Sequence, residues 1–243
     1  MSLKQAIFNA DELEVLEESF LVRHRLEEQY RDLDQQRHAA VFAMWVFLAT
    51  EVMFFGVLFV SAGVYRYLHS EAVERASAKL NWMIGGGNTI VLLVSSFMMV
   101  MAVHYAQHGA KRKLIVFLLF TAAFGACFLG LKGLEYYLDY CDNLVPFVKF
   151  DPSEWINQEH LDASQVPQVE LFLLFYWIMT GFHALHMIIG ISAVLVMAVL
   201  AHRGHFDSVY YTPVDVTALY WHFVDMVWIF LLPMLYLQGT HTL

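Results

Sequence analysis

The chain has 243 residues, of which 59% are hydrophobic and 16% aromatic, and its mean hydropathy is +0.52. Long charge-poor runs at that composition exclude a soluble domain and indicate a polytopic membrane protein. The net charge of −9 sits in two segments and gives no basis for nucleic-acid binding, and two cysteines, Cys127 and Cys141, supply no metal or disulfide framework.

The first residues are acidic and amphipathic, unlike a cleavable signal peptide, so the first span is expected to act as its own insertion signal. Asp11 to Gln36 reads as an amphipathic helix, with Leu13, Leu16, Phe20 and Leu21 on one stripe and acids opposite. That acidic face disfavours anionic lipid and favours packing on a partner subunit or on the chain's own inner loops. The chain divides into a charged segment, residues 1–38, and a membrane domain, residues 39–243.

Gaps between charges predict five transmembrane helices near Ala40–Tyr65, Asn88–Gln107, Leu114–Tyr137, Leu171–Leu200 and Val216–Leu237. The fold class is therefore an all-α, five-helix membrane bundle preceded by a cytoplasmic amphipathic helix. Gly85-Gly86-Gly87 lacks the lysine and the strand of a phosphate loop and reads as a flexible helix entrance. Nine basic residues, including the Lys111-Arg112-Lys113 cluster, fall on the N-terminal side against five on the other. This places the N-terminus inside and the C-terminus outside. Asp139–Glu170 is then an acidic outer loop, read as a solvated linker. Glu135, late in the third span, is expected to pair with Lys132 or water.

Ionisable residues inside spans are expensive and require a partner or a task. Glu51 lies ~10 residues into the first span, ~15 Å deep at a helical rise of ~1.5 Å per residue. The same arithmetic sets His183 level with Asp225 and His186 level with His222, each pair ~8–14 Å above the inner face. Three readings stay open for these five residues. They satisfy one another structurally, they relay protons, or the histidines bind haem or a metal.

Five runs carry a resemblance, one per span and in order. They are Thr50-Glu-Val-Met-Phe-Phe55, Asn88-Thr-Ile-Val-Leu-Leu93, Leu134-Glu-Tyr-Tyr137, Thr180-Gly-Phe-His-Ala-Leu-His-Met-Ile-Ile-Gly190 and Tyr220-Trp-His-Phe-Val-Asp-Met-Val-Trp-Ile-Phe230. The chain resembles subunit III of haem–copper terminal oxidases of the cytochrome c oxidase type. The resemblance implies a subunit without haem or copper of its own, packed beside subunits I and II, which hold those cofactors. It also implies phospholipid in the helix bundle, support of sustained proton uptake, and residence in a prokaryotic plasma membrane, with a larger respiratory supercomplex as a further partner. Glu51 matches the family's carbodiimide-reactive glutamate, a candidate proton-exchanging group beside His183, His186, His222 and Asp225. Many members have seven spans; this chain begins with the family's third, which removes one wall of the family's lipid cleft. Quinol oxidases and nitric oxide reductase accessory subunits share the resemblance, and a stand-alone haem b protein is the remaining rival.

Overall fold

The computed structural model describes residues 29–157 and 162–237. Its long helices are α1 (Leu33–Leu68), α3 (Trp82–Gln107), α4 (Lys111–Cys141), α6 (Val166–His202) and α7 (Thr212–Leu235). All five are long and apolar enough to cross a membrane. The short elements are α2 (Ser70–Lys79), α5 (Pro152–Asn157) and a two-residue antiparallel hairpin of β1 (Leu144–Val145) and β2 (Lys149–Phe150). The chain is an all-α, multi-pass membrane bundle, as its hydropathy predicts.

Helix ends follow local chemistry. Asp32 begins α1 by accepting the Gln35 N–H at 2.7 Å, and Asn81 begins α3 by accepting the Ile84 N–H at 3.2 Å. α6 and α7 each carry proline in the first turn, where its missing N–H costs nothing. α3 and α6 stop the same way. Gly109 and Gly204 adopt φ of +64° and +79°, and the N–H groups of Ala110 and His205 return to the carbonyls of Tyr105 and Leu200. Both ends are Schellman caps, which need a residue free to enter the left-handed region.

Two expectations change. Most of Asp11–Gln36 lies outside the described residues, but residues 29–32 are not helical and Asp32 caps a new helix, so no single helix runs through Gln36. The triple glycine is not an entrance: α3, capped by Asn81, starts at Trp82, three residues before Gly85. Gly85 instead allows close packing, since a Cβ there would sit 2.9 Å from Leu232 and 3.3 Å from the Tyr236 ring.

α7 occupies the centre, against α1, α3 and α6, while α4 packs between α3 and α6. Its Trp221 is wholly buried, wedged against Gly125 of α4 and Gly190 of α6. Small residues at this crossing bring the three backbones close, as interfaces between membrane helices require. Arg37 pairs with Asp215 at 3.0 Å, joining the starts of α1 and α7. At the opposite face, the Tyr65 hydroxyl donates to the Gln168 carbonyl and Ser77 donates to the Leu235 carbonyl. The ends of α1 and α7 and the start of α6 therefore share that face, as alternating spans should.

Candidate functional site

Glu51 on α1 and His186 on α6 meet: Oε2 lies 3.0 Å from Nε2. The other ring nitrogen, Nδ1, lies 2.8 Å from the Phe182 carbonyl one turn earlier on α6. A carbonyl only accepts, so Nδ1 must carry a proton. One further proton then sits between Nε2 and Oε2. The pair is either imidazolium with carboxylate or imidazole with carboxylic acid, and the two states differ by one short proton transfer. Phe55 stacks edge-on against the imidazole with centroids 5.2 Å apart and helps fix its plane. Glu51 and His186 remain partly exposed at the bundle surface, with side chains 18% and 13% accessible.

The other three residues do not join this pair. His222 turns to α3, its Nδ1 2.7 Å from the Ser96 hydroxyl. His183 is buried in the core between Phe128 and Trp228, and neither ring nitrogen has a hydrogen-bond partner among the described residues. Both carboxyl oxygens of Asp225 are buried without a hydrogen-bond partner as well; Ser96 lies beside them but outside hydrogen-bond geometry. Equal depth thus does not become contact. The expected rungs of His183 with Asp225 and His186 with His222 are not hydrogen-bonded pairs: His186 reaches Glu51 on α1, His222 reaches Ser96 on α3, and His183 packs between Phe128 and Trp228. The imidazoles of His183, His186 and His222 likewise do not converge as a haem ligand set. Among the described residues, no group of three or more His, Cys, Asp and Glu is placed to hold a metal ion.

The densest polar cluster lies elsewhere. Lys132, Glu135 and Asp139 occupy one stripe of α4 at i, i+3 and i+7 and are all buried. The Lys132 ammonium has three donors and uses all three, on Glu135 Oε2 at 3.1 Å, the Tyr176 hydroxyl at 3.0 Å and the Tyr236 hydroxyl at 2.6 Å. The Tyr236 hydroxyl donates a hydrogen bond to Glu135 Oε1 at 2.6 Å, and the Tyr176 hydroxyl donates one to Asp139 Oδ2 at 2.7 Å. The ammonium also lies within 5.6 Å of the ring centroids of Tyr136, Tyr176, Trp228 and Tyr236, a cage suited to a cation. The pairing of Glu135 with Lys132 agrees with the sequence; placing Asp139 in a solvated loop does not. Asp139 belongs to the last turns of α4, and Tyr176 of α6 draws it inward. The i, i+3, i+7 spacing of three charges in an apolar span was the available signal.

With this geometry in place, similarity to other proteins identifies the family. Residues 149–240 match the family model for cytochrome c oxidase subunit III. The cytochrome c oxidase subunit 3 of Thermostichus vulcanus is 30% identical over 202 residues, covering 81% of this chain and 86% of that protein. This chain belongs to the cytochrome c oxidase subunit III family. The subunit 3 of Synechocystis is 28% identical, covering 81% of this chain and 75% of that protein. That of Arabidopsis thaliana is 28% identical, covering 80% of this chain and 66% of that protein. As a subunit III, the chain is part of a multi-subunit oxidoreductase complex in a membrane and of respiratory electron transport.

Proposed function

We propose that this subunit III is a non-redox member of a proton-pumping cytochrome c oxidase. It stabilises the catalytic subunit I alongside subunit II, orders lipid, and supports proton uptake through Glu51. The observation that carries this reading is the Glu51–His186 pair. It is a proton-sharing couple on the bundle surface, between α1 and α6, where a neighbouring subunit or lipid would cover it. α1 supports a covered surface too, since it presents Phe42, Trp45, Val52, Met53, Val57 and Val60 outward.

Lipid ordering draws on a groove between α1 and α7. It measures about 590 Å³ and is lined by Phe55, Phe59, Phe223, Met226 and Phe230, with Arg66 among the lining residues. An apolar trough with one guanidinium matches an acyl chain and its phosphate. The orientation that fits the basic residues has the N-terminus in the cytoplasm of a prokaryote and the C-terminus outside.

Affinity purification of the chain in mild detergent, followed by mass spectrometry, tests the assignment. Recovery of a large histidine-rich catalytic subunit with a copper-bearing subunit II is expected. Recovery of a nitric oxide reductase, a quinol oxidase, or the chain alone with b-type absorbance would overturn it.

A further inference from the structure

A second space opens on the face where α1 and α7 begin. It measures about 370 Å³ and lies between α1, α3 and α7, lined by Arg37, Val41, Trp45, Val100, Val103, Asp215, Ala218, Leu219 and His222. The Arg37–Asp215 ion pair stands at the start of these helices, with the Arg37 side chain 42% exposed. Two turns further along α7, His222 reaches from the lining to Ser96. One turn beyond His222 is Asp225, buried, with both carboxyl oxygens lacking a protein partner and Ser96 beside them. Polar groups thus follow one another from the surface to a buried carboxyl that the protein itself leaves unsatisfied.

A buried carboxyl without hydrogen bonds is costly, and native structures resolve such groups with ordered water. The walls are apolar at Val41, Trp45, Val100, Val103, Ala218 and Leu219. A guanidinium, a carboxylate and an imidazole also line the space, and they keep hydrogen-bonding capacity beyond their protein partners that water can use and a hydrocarbon chain cannot. We propose that the space is a water-filled inlet that runs from the Arg37–Asp215 pair past His222 and hydrates the Ser96–Asp225 site. The inlet gives the chain a second group in proton exchange with the aqueous phase, on a different face of the bundle from Glu51 and His186. Asp225 is its terminus, His222 and Ser96 its inner contacts, and Arg37 with Asp215 its mouth. This inference rests on the cavity and the unsatisfied carboxyl and holds whichever complex the chain joins.

Cysteine accessibility tests it in the full-length chain, in membrane vesicles of known sidedness, with Cys127→Ser and Cys141→Ser as background. Ser96→Cys, nearly isosteric and therefore safe for folding, is the lead variant, and Asp225→Cys is the second. Met226→Cys, on the lipid-facing side of the same helix, is the control, Met226 being 56% exposed at the bundle surface. The probe is a small charged methanethiosulfonate, which reacts with the thiolate that forms in water and not with a thiol in lipid. The expected result is labelling of Ser96→Cys about tenfold faster or more than Met226→Cys, from the Arg37 face, because only the hydrated thiol ionises. Adding Val41→Trp to fill the inlet should abolish that difference. Labelling no faster than the control, labelling only from the opposite face, or indifference to Val41→Trp would each overturn the inlet.

Discussion

His186 holds two partners of different kinds, and that distinction decides what substitutions at Glu51 should do. Glu51→Gln keeps an amide N–H able to donate to Nε2, so the contact between α1 and α6 survives while the carboxyl is lost. Assembly and initial oxidase turnover should stay near wild type, and carbodiimide labelling at this position should vanish. Collapse of the haem–copper spectra in that variant would show that Glu51 does more than exchange a proton. Glu51→Leu leaves Nε2 without its partner and should be the more damaging of the two, read as reduced recovery of the chain with its complex. Lys132 is the opposite case. Lys132→Met leaves two buried carboxyls bonded to Tyr176 and Tyr236 with no cation, a loss of about 3–5 kcal/mol, visible as a lowered thermal midpoint. Replacing Lys132, Glu135 and Asp139 together by apolar residues should cost less than Lys132→Met alone, since no charge is stranded.

At the level of whole helices, the bundle depends on how closely α4, α6 and α7 approach. Trp221 fills the crossing, and the two glycines it touches are not equivalent. A Cβ at Gly125 would lie 2.6 Å from Trp221 Cη2 and 3.0 Å from Ile191, whereas one at Gly190 would lie 3.2 Å from the Trp221 ring. Gly125→Ala must displace a buried indole and should cost about 1–3 kcal/mol, as overpacking does. Gly190→Ala needs a shift of a few tenths of an ångström and should cost less. Thermal unfolding of the purified variants orders them, and a Gly190→Ala more damaging than Gly125→Ala would contradict the packing described. The helix termini have local causes: Asp32 and Asn81 cap α1 and α3, and Gly109 and Gly204 supply the left-handed residue that ends α3 and α6. The misread Gly85-Gly86-Gly87 shows the limit of such reading. Local propensity marks glycine as a breaker, but an apolar segment in lipid must keep its backbone hydrogen bonds and stays helical.

For the molecule as a whole, the two faces differ in charge and chemistry. Lys111, Arg112, Lys113 and Arg203 lie with Arg37 on one face, while Lys149 of the hairpin and the acidic connection to α6 lie on the other. A membrane-impermeant amine reagent applied to intact cells should therefore modify Lys149 and spare Lys111 and Lys113 until the membrane is opened. The reverse pattern would invert the orientation inferred from the positive charges.

Span number, span order and the presence of ionisable groups at depth follow from sequence alone, because hydrophobic length and the cost of charge in lipid act along one helix at a time. Which of those groups meet does not. Depth along a helix is a one-dimensional quantity, whereas contact also requires the rotation of each helix about its axis, which side-chain packing sets. Hence Glu51, His186 and His222 can be singled out from the sequence as ionisable groups at depth, yet only the fold joins Glu51 to His186 and sends His222 to Ser96. The same rotation folds Lys132, Glu135 and Asp139 inward against Tyr176 and Tyr236, and leaves Asp225 buried without a hydrogen-bond partner.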